Sequence, residues 1–75
     1  MNAAPRDYKV HSEMVEVRIG PGAEYPITAK LPKGEVVTSS SLEGEEWVKI
    51  TISSFQNGSL RISKGYVNRQ GLTKL

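Results

Sequence analysis

Asn57-Gly58 is the feature that most narrows what this chain can become. A two-residue type I′ turn needs positive φ at both central positions, and its twist matches that of two antiparallel strands. Before it, Val48, Ile50 and Ile52 alternate with Trp47, Lys49 and Thr51, the period-2 pattern of a strand with one buried face. After it, Leu60, Ile62, Tyr66 and Val67 supply apolar positions. The sequence therefore predicts a hairpin pairing Trp47–Phe55 with Ser59–Asn68, with a bulge or sharp bend at Gly65. The same alternation sets Trp47 opposite Val48 and Ile50. It faces outward if that pair is core, and a bulge would reverse this, because a one-residue slip flips every side chain.

The remaining segments read as short strands between turn residues: Tyr8–Val10, Val15–Ile19, Val36–Ser41 after Lys33-Gly34, and a closing Leu72–Leu75. Ile27, Ala29 and Leu31 are bracketed by Pro26 and Pro32, which leaves room for one helical turn at most. No amphipathic helix, repeat or low-complexity tract is present. Five to seven short antiparallel strands then have two ways to bury one face each, as two tiny packed sheets or as a small, partly open barrel. An all-β barrel spanning residues 1–75 as a single domain is the expectation. A chain of 75 residues buries only about 60% of its unfolded surface, and a core of that size supplies roughly 3–5 kcal/mol without staples. There are no cysteines, so disulfides, thiolate metal sites and cysteine nucleophiles are excluded together.

The net charge of +2, from ten basic and eight acidic residues, and the basic pI suggest nucleic acid until the charges are placed. Lys9, Arg18, Lys30, Lys33, Lys49, Arg61, Lys64 and Arg69 stand singly, whereas a nucleic-acid binder gathers its cations on one face or run. The densest charge cluster is acidic: Glu43, Glu45 and Glu46, read as a solvated turn with the capacity to receive a cationic ligand group. No run of about 18 apolar residues predicts a membrane span. The first ten residues lack the apolar stretch of a signal peptide, so the expected setting is cytoplasmic, or cell-wall if the chain is a module of a longer exported protein.

Chemistry is sparse. His11 is the only histidine and, without a companion, builds no transition-metal cage. Gly20-Pro21-Gly22 lacks the Lys-Ser/Thr ending and following helix of a phosphate loop. Seven glutamates offer carboxylates for glycoside chemistry, but a thin barrel has no deep cleft to tune them. A non-catalytic protein without cofactor or metal is expected.

Three pieces of the chain, in order, resemble the bacterial SH3 domain. Val17-Arg18, Gly20-Pro21, Tyr25-Pro26, Leu31 and Lys33-Gly34 match its opening without a gap. Gly44 to Ile50 resembles its Gly-x-Trp-x-Lys-Val strand, and Lys64 to Leu72 its closing Gly-Trp-Val…Leu. The likeness runs from Val10 to Leu72. Glu16 stands where the family usually has Asn, Tyr66 where it has Trp, and Gly71 where a Tyr is common. The resemblance implies an SH3-like barrel whose loop after the early strand walls a shallow groove. It also implies a role in binding cell-wall peptidoglycan, by stem or cross-bridge peptide or by glycan, often for a linked hydrolase; other members bind proteins.

Six residues are candidates for that groove. Tyr25 is either a groove aromatic or a pin that packs its own loop. Trp47, by its parity, is a ligand-facing aromatic, and Tyr66, next to Gly65, is either ligand-facing or core. Arg18, whose planar fork suits it to hold the loop through hydrogen bonds, Glu16 and Asn68 give polar support. A monomer binding peptidoglycan is the first expectation. A protein-interaction adaptor that uses the same groove or a strand edge is the second, and nucleic acid is a distant third.

Overall fold

The Asn57-Gly58 turn forms as expected. Both residues have positive φ, 53° and 78°, and they join two ten-residue strands in unbroken antiparallel register from Trp47↔Asn68 to Gln56↔Ser59. The computed structural model describes residues 4–41 and 44–75, so Glu43 of the acidic cluster lies outside the described residues. Among the described residues seven strands occur: β1 (Arg6–Val10), β2 (Met14–Arg18), β3 (Ile27–Pro32), β4 (Val36–Ser39), β5 (Trp47–Gln56), β6 (Ser59–Asn68) and β7 (Leu72–Lys74). A single 3₁₀ turn, Arg69–Gly71, separates β6 from β7. They make one antiparallel sheet in the order β3-β2-β6-β5-β4-β1-β7, coiled into a partly open SH3-like barrel whose end strands are β3 and β7.

Alternation decides the core. Val48 and Ile50 of β5, Val67 of β6, Val15 and Val17 of β2, Tyr8 and Val10 of β1, with Leu31, Val37 and Leu72, form one buried cluster. The side chains between them on each strand point out. Ser39, the buried polar residue, accepts from the Ser41 amide at 3.0 Å and donates to the Lys49 carbonyl, so its hydroxyl is satisfied. Among the described residues, no helix is long and apolar enough to cross a membrane.

Three segments differ from these expectations or go beyond them. Residues 27–32, where the bracketing prolines left room for one helical turn at most, form a strand. Ile27, Ala29 and Leu31 are a period-2 set, and Val17↔Ala29 and Val15↔Leu31 pair across β2 and β3. The prolines are tolerated because β3 is an end strand with no further ladder to feed. Gly65 is no bulge: it pairs regularly with Ile50, and the register shift lies instead between Val17 and Arg18. Gly65 is required for closeness, since a Cβ there would stand 2.3 Å from Val17 Cγ1 and 3.1 Å from the Arg18 carbonyl oxygen. Finally, Leu60 and Ile62 are exposed. They pair with Phe55 and Ser53 on the Trp47 face of the hairpin, away from Val48 and Ile50. The hairpin also runs past its flanking strands, since β2 meets β6 at Tyr66 and β4 meets β5 at Thr51.

Candidate binding groove

The outward residues of β2 and those at the base of the β5–β6 hairpin share one surface. Parity leaves Trp47 half-buried beside the sheet, because its neighbours Val48 and Ile50 are taken up by the core. Its cross-strand partner is Asn68. An open groove runs here, lined by Met14, Val15, Glu16 and Arg18 of β2, by Trp47, by Asn68, and by Ser12, Gln70 and Gly71. Four of the six candidates therefore meet in one groove: Glu16, Arg18, Trp47 and Asn68.

Each polar candidate, Glu16, Arg18 and Asn68, is held by a local hydrogen bond. The Arg18 guanidinium donates through Nη2 to Glu16 Oε1 at 2.9 Å and through Nη1 to the Tyr25 carbonyl at 2.8 Å. Asn68 Oδ1 accepts from the Gln70 amide at 2.9 Å, capping the 3₁₀ turn, and its Nδ2 reaches Glu46 Oε2 at 3.5 Å. Arg69 ties the acidic turn to the same end of the barrel, its amide donating to the Glu46 carbonyl and its Nε to the Glu45 carbonyl. Pre-positioned groups of this kind lose little freedom when a ligand arrives. The groove thus offers an indole face, a fixed ion pair and an amide, a set that suits a polar chain with some apolar surface, such as a peptide or a sugar.

The two tyrosines sit apart from this lining. The Tyr25 ring lies over Gly20, where an added Cβ would be 2.5 Å from Tyr25 Cδ1, and the loop carrying it is closed by Ile19 N–H donating to the Pro26 carbonyl. Tyr25 stays partly exposed and reaches the groove only through the Arg18 hydrogen bond. Tyr66 is half-buried and pairs with Arg18 across β2 and with Lys49 across β5. Met14, Ser12 and Gln70 were not among the sequence candidates. Met14 was open to detection, as the exposed residue preceding the buried Val15 in the same alternation. Ser12 and Gln70 lie outside the strands, where alternation carries no information. Two other concavities, one rich in serine and threonine around Lys49 and Lys64 and one beside Tyr8 and Arg69, contain none of the six.

Arg18→Lys tests the bracing role. An ammonium cannot reproduce the two-sided fork, and losing a charge-assisted hydrogen bond from a guanidinium that is 18% exposed should cost about 1 kcal/mol. Hydrogen exchange at the Ile19 and Tyr25 amides, both bonded within the loop, should accelerate. Unchanged protection would assign the loop's order to the Tyr25–Gly20 contact alone.

A barrel with its long loop after β2 and its tryptophan at the start of β5 is the arrangement the resemblance implies. The family model described as the bacterial SH3 domain matches residues 14–73. The chain belongs to the bacterial SH3 domain family. No curated protein and no solved structure is matched by it. Bacterial SH3 domains are a non-catalytic domain family and typically binding modules. All six candidates fall inside the matched span. Strand β1 begins before it, yet Tyr8 and Val10 of β1 belong to the core.

Proposed function

We propose that this bacterial SH3 domain is a non-catalytic module that binds cell-wall peptidoglycan, as peptide or glycan, in the groove between β2 and the hairpin base, and so targets a linked hydrolase. The observation that carries this reading is the half-buried Trp47 set beside the Glu16–Arg18 ion pair and Asn68 in one open groove. The indole face takes apolar stem or pyranose surface, while Glu16 and Arg18 meet the amine and carboxylate groups of a peptide. Tyr25 and Tyr66 flank the site through Arg18. A shallow groove with few anchors binds at micromolar to millimolar strength, about −4 to −8 kcal/mol. Its effect then comes from raising the local concentration of whatever it is joined to.

The groove is favoured over a strand edge for a protein partner, because the end strand β3 carries Lys30 and Pro32, both of which blunt pairing. The test is retention on insoluble peptidoglycan at low and high salt. Wild type should be retained at high salt. Trp47→Ala and Glu16→Gln, each checked for its native circular dichroism, should lose at least about tenfold in retention, equivalent to 1.4 kcal/mol. Equal retention of a folded Trp47→Ala would remove the groove from the account, and no retention of wild type would turn the search to a protein partner.

A further inference from the structure

The distal half of the β5–β6 hairpin has no place in the groove, yet among the described residues it carries the most exposed large apolar side chain, Phe55. Phe55, Leu60 and Ile62 are 77%, 55% and 61% exposed. Phe55 is paired directly with Leu60, and Ile62 with Ser53, so the three lie on one face of the ribbon, since paired residues share a face and next-but-one residues stay on it. The ribbon extends past β2 and β4, and among the described residues that face stays uncovered. The charge around it has a single sign. Residues 47–75 carry five basic side chains and no acidic one, whereas residues 1–46 carry five basic and eight acidic, which together make the net +2. Lys64 continues the face of the apolar trio beside Ile62, Arg61 stands on the reverse face of the same ribbon, and no carboxylate of the hairpin neutralises them.

We propose that this hairpin tip docks on the surface of an anionic lipid bilayer, with Phe55, Leu60 and Ile62 entering the interface and Arg61 and Lys64 meeting the headgroup phosphates. An apolar face on a hairpin that carries cations and no carboxylate combines the two contributions that hold a peripheral protein at such a surface, buried apolar area and attraction to anionic lipid. Long basic side chains bring their charge to headgroup level while their stems cover apolar surface. A second copy of the chain seated on this face fits less well, because it would set Lys64 against its own equivalent. Single-stranded nucleic acid would use Phe55 for stacking but leaves Leu60 and Ile62 without a role. Phe55 lies eight strand residues from Trp47, about 27 Å at the ordinary strand rise, so tip and groove can be occupied together.

The test is co-sedimentation of the full chain with vesicles of phosphatidylglycerol mixed with phosphatidylcholine, and with vesicles of phosphatidylcholine alone. Phe55→Ser/Ile62→Ser and Arg61→Gln/Lys64→Gln are run beside wild type. Both pairs change exposed positions and leave the groove residues in place. Wild type should bind the anionic vesicles at least about tenfold better than the neutral ones, each double variant should lose at least about tenfold of that binding, and neither should alter retention on peptidoglycan. Absence of vesicle binding, or equal binding by wild type and the serine variant, overturns the proposal. So does a concentration-dependent dimer or an oligonucleotide complex that the serine variant abolishes while vesicles are ignored; the tip would then belong to that partner.

Discussion

Gly65→Ala should destabilise the domain by about 2–3 kcal/mol, although it adds one methyl group to a strand that ordinarily favours alanine over glycine. The added Cβ would fall 2.3 Å from Val17 Cγ1 and 3.1 Å from the Arg18 carbonyl. Val17 is only 1% exposed, so it has nowhere to swing, and overpacking a rigid interior costs on the order of 1–3 kcal/mol. That is a large share of the roughly 3–5 kcal/mol that a core of this size provides. Urea melts should show a lower midpoint with an unchanged slope. In Gly65→Ala/Val17→Ala the clashing methyl is gone, and the double variant should be more stable than the two single losses added together. Strict additivity would mean that the close approach is not the reason for the glycine.

Ile50→Ala should be costlier still, about 3–4 kcal/mol. Ile50 is 0% exposed at the centre of β5, and truncating a buried isoleucine to alanine loses its transfer energy and leaves a cavity, typically 2–5 kcal/mol. At that magnitude the domain is mostly unfolded at 37 °C. Ile62→Ala, the same chemical change in the facing strand of the same hairpin, should shift stability by less than about 0.5 kcal/mol, because Ile62 is 61% exposed. Thermal melts of the two variants separate the buried face of the hairpin from its open one. A comparable loss in both would place Ile62 in the core and remove the basis for the hairpin's exposed tip.

Much of this architecture is legible in the residues. Asn57-Gly58 supplied the hairpin and its register, and the alternation through Val48 and Ile50 supplied the outward side of Trp47. These signals are local, and turn chemistry and period-2 patterning act over a few residues. What was not legible depends on distance in space. Pro26 and Pro32 resemble punctuation, but β3 lies at the end of the sheet, and nothing in the sequence announces which strand will be last. Leu60 and Ile62 have core composition but pair with Phe55 and Ser53 on the Trp47 face; that much follows from the turn, whereas the early ends of β2 and β4 beside them do not. At Gly65 the missing side chain was evident, but the reason was Val17, forty-eight positions away in the chain. In the groove, Glu16, Arg18, Trp47 and Asn68 converge because three strands present the same face. Tyr25, chosen with them as an aromatic in the loop, instead lies on Gly20.

The most direct test of the binding account uses the residue at its centre. Trp47 is the only tryptophan, so tryptophan emission reports on the groove alone. Titration with soluble peptidoglycan fragments at high salt should move that emission to shorter wavelength along a saturating curve in the micromolar-to-millimolar range, as the half-exposed indole loses water to the ligand. Fragments that bind by calorimetry without moving the emission, or that do not bind at millimolar concentration, would contradict a peptidoglycan site at Trp47.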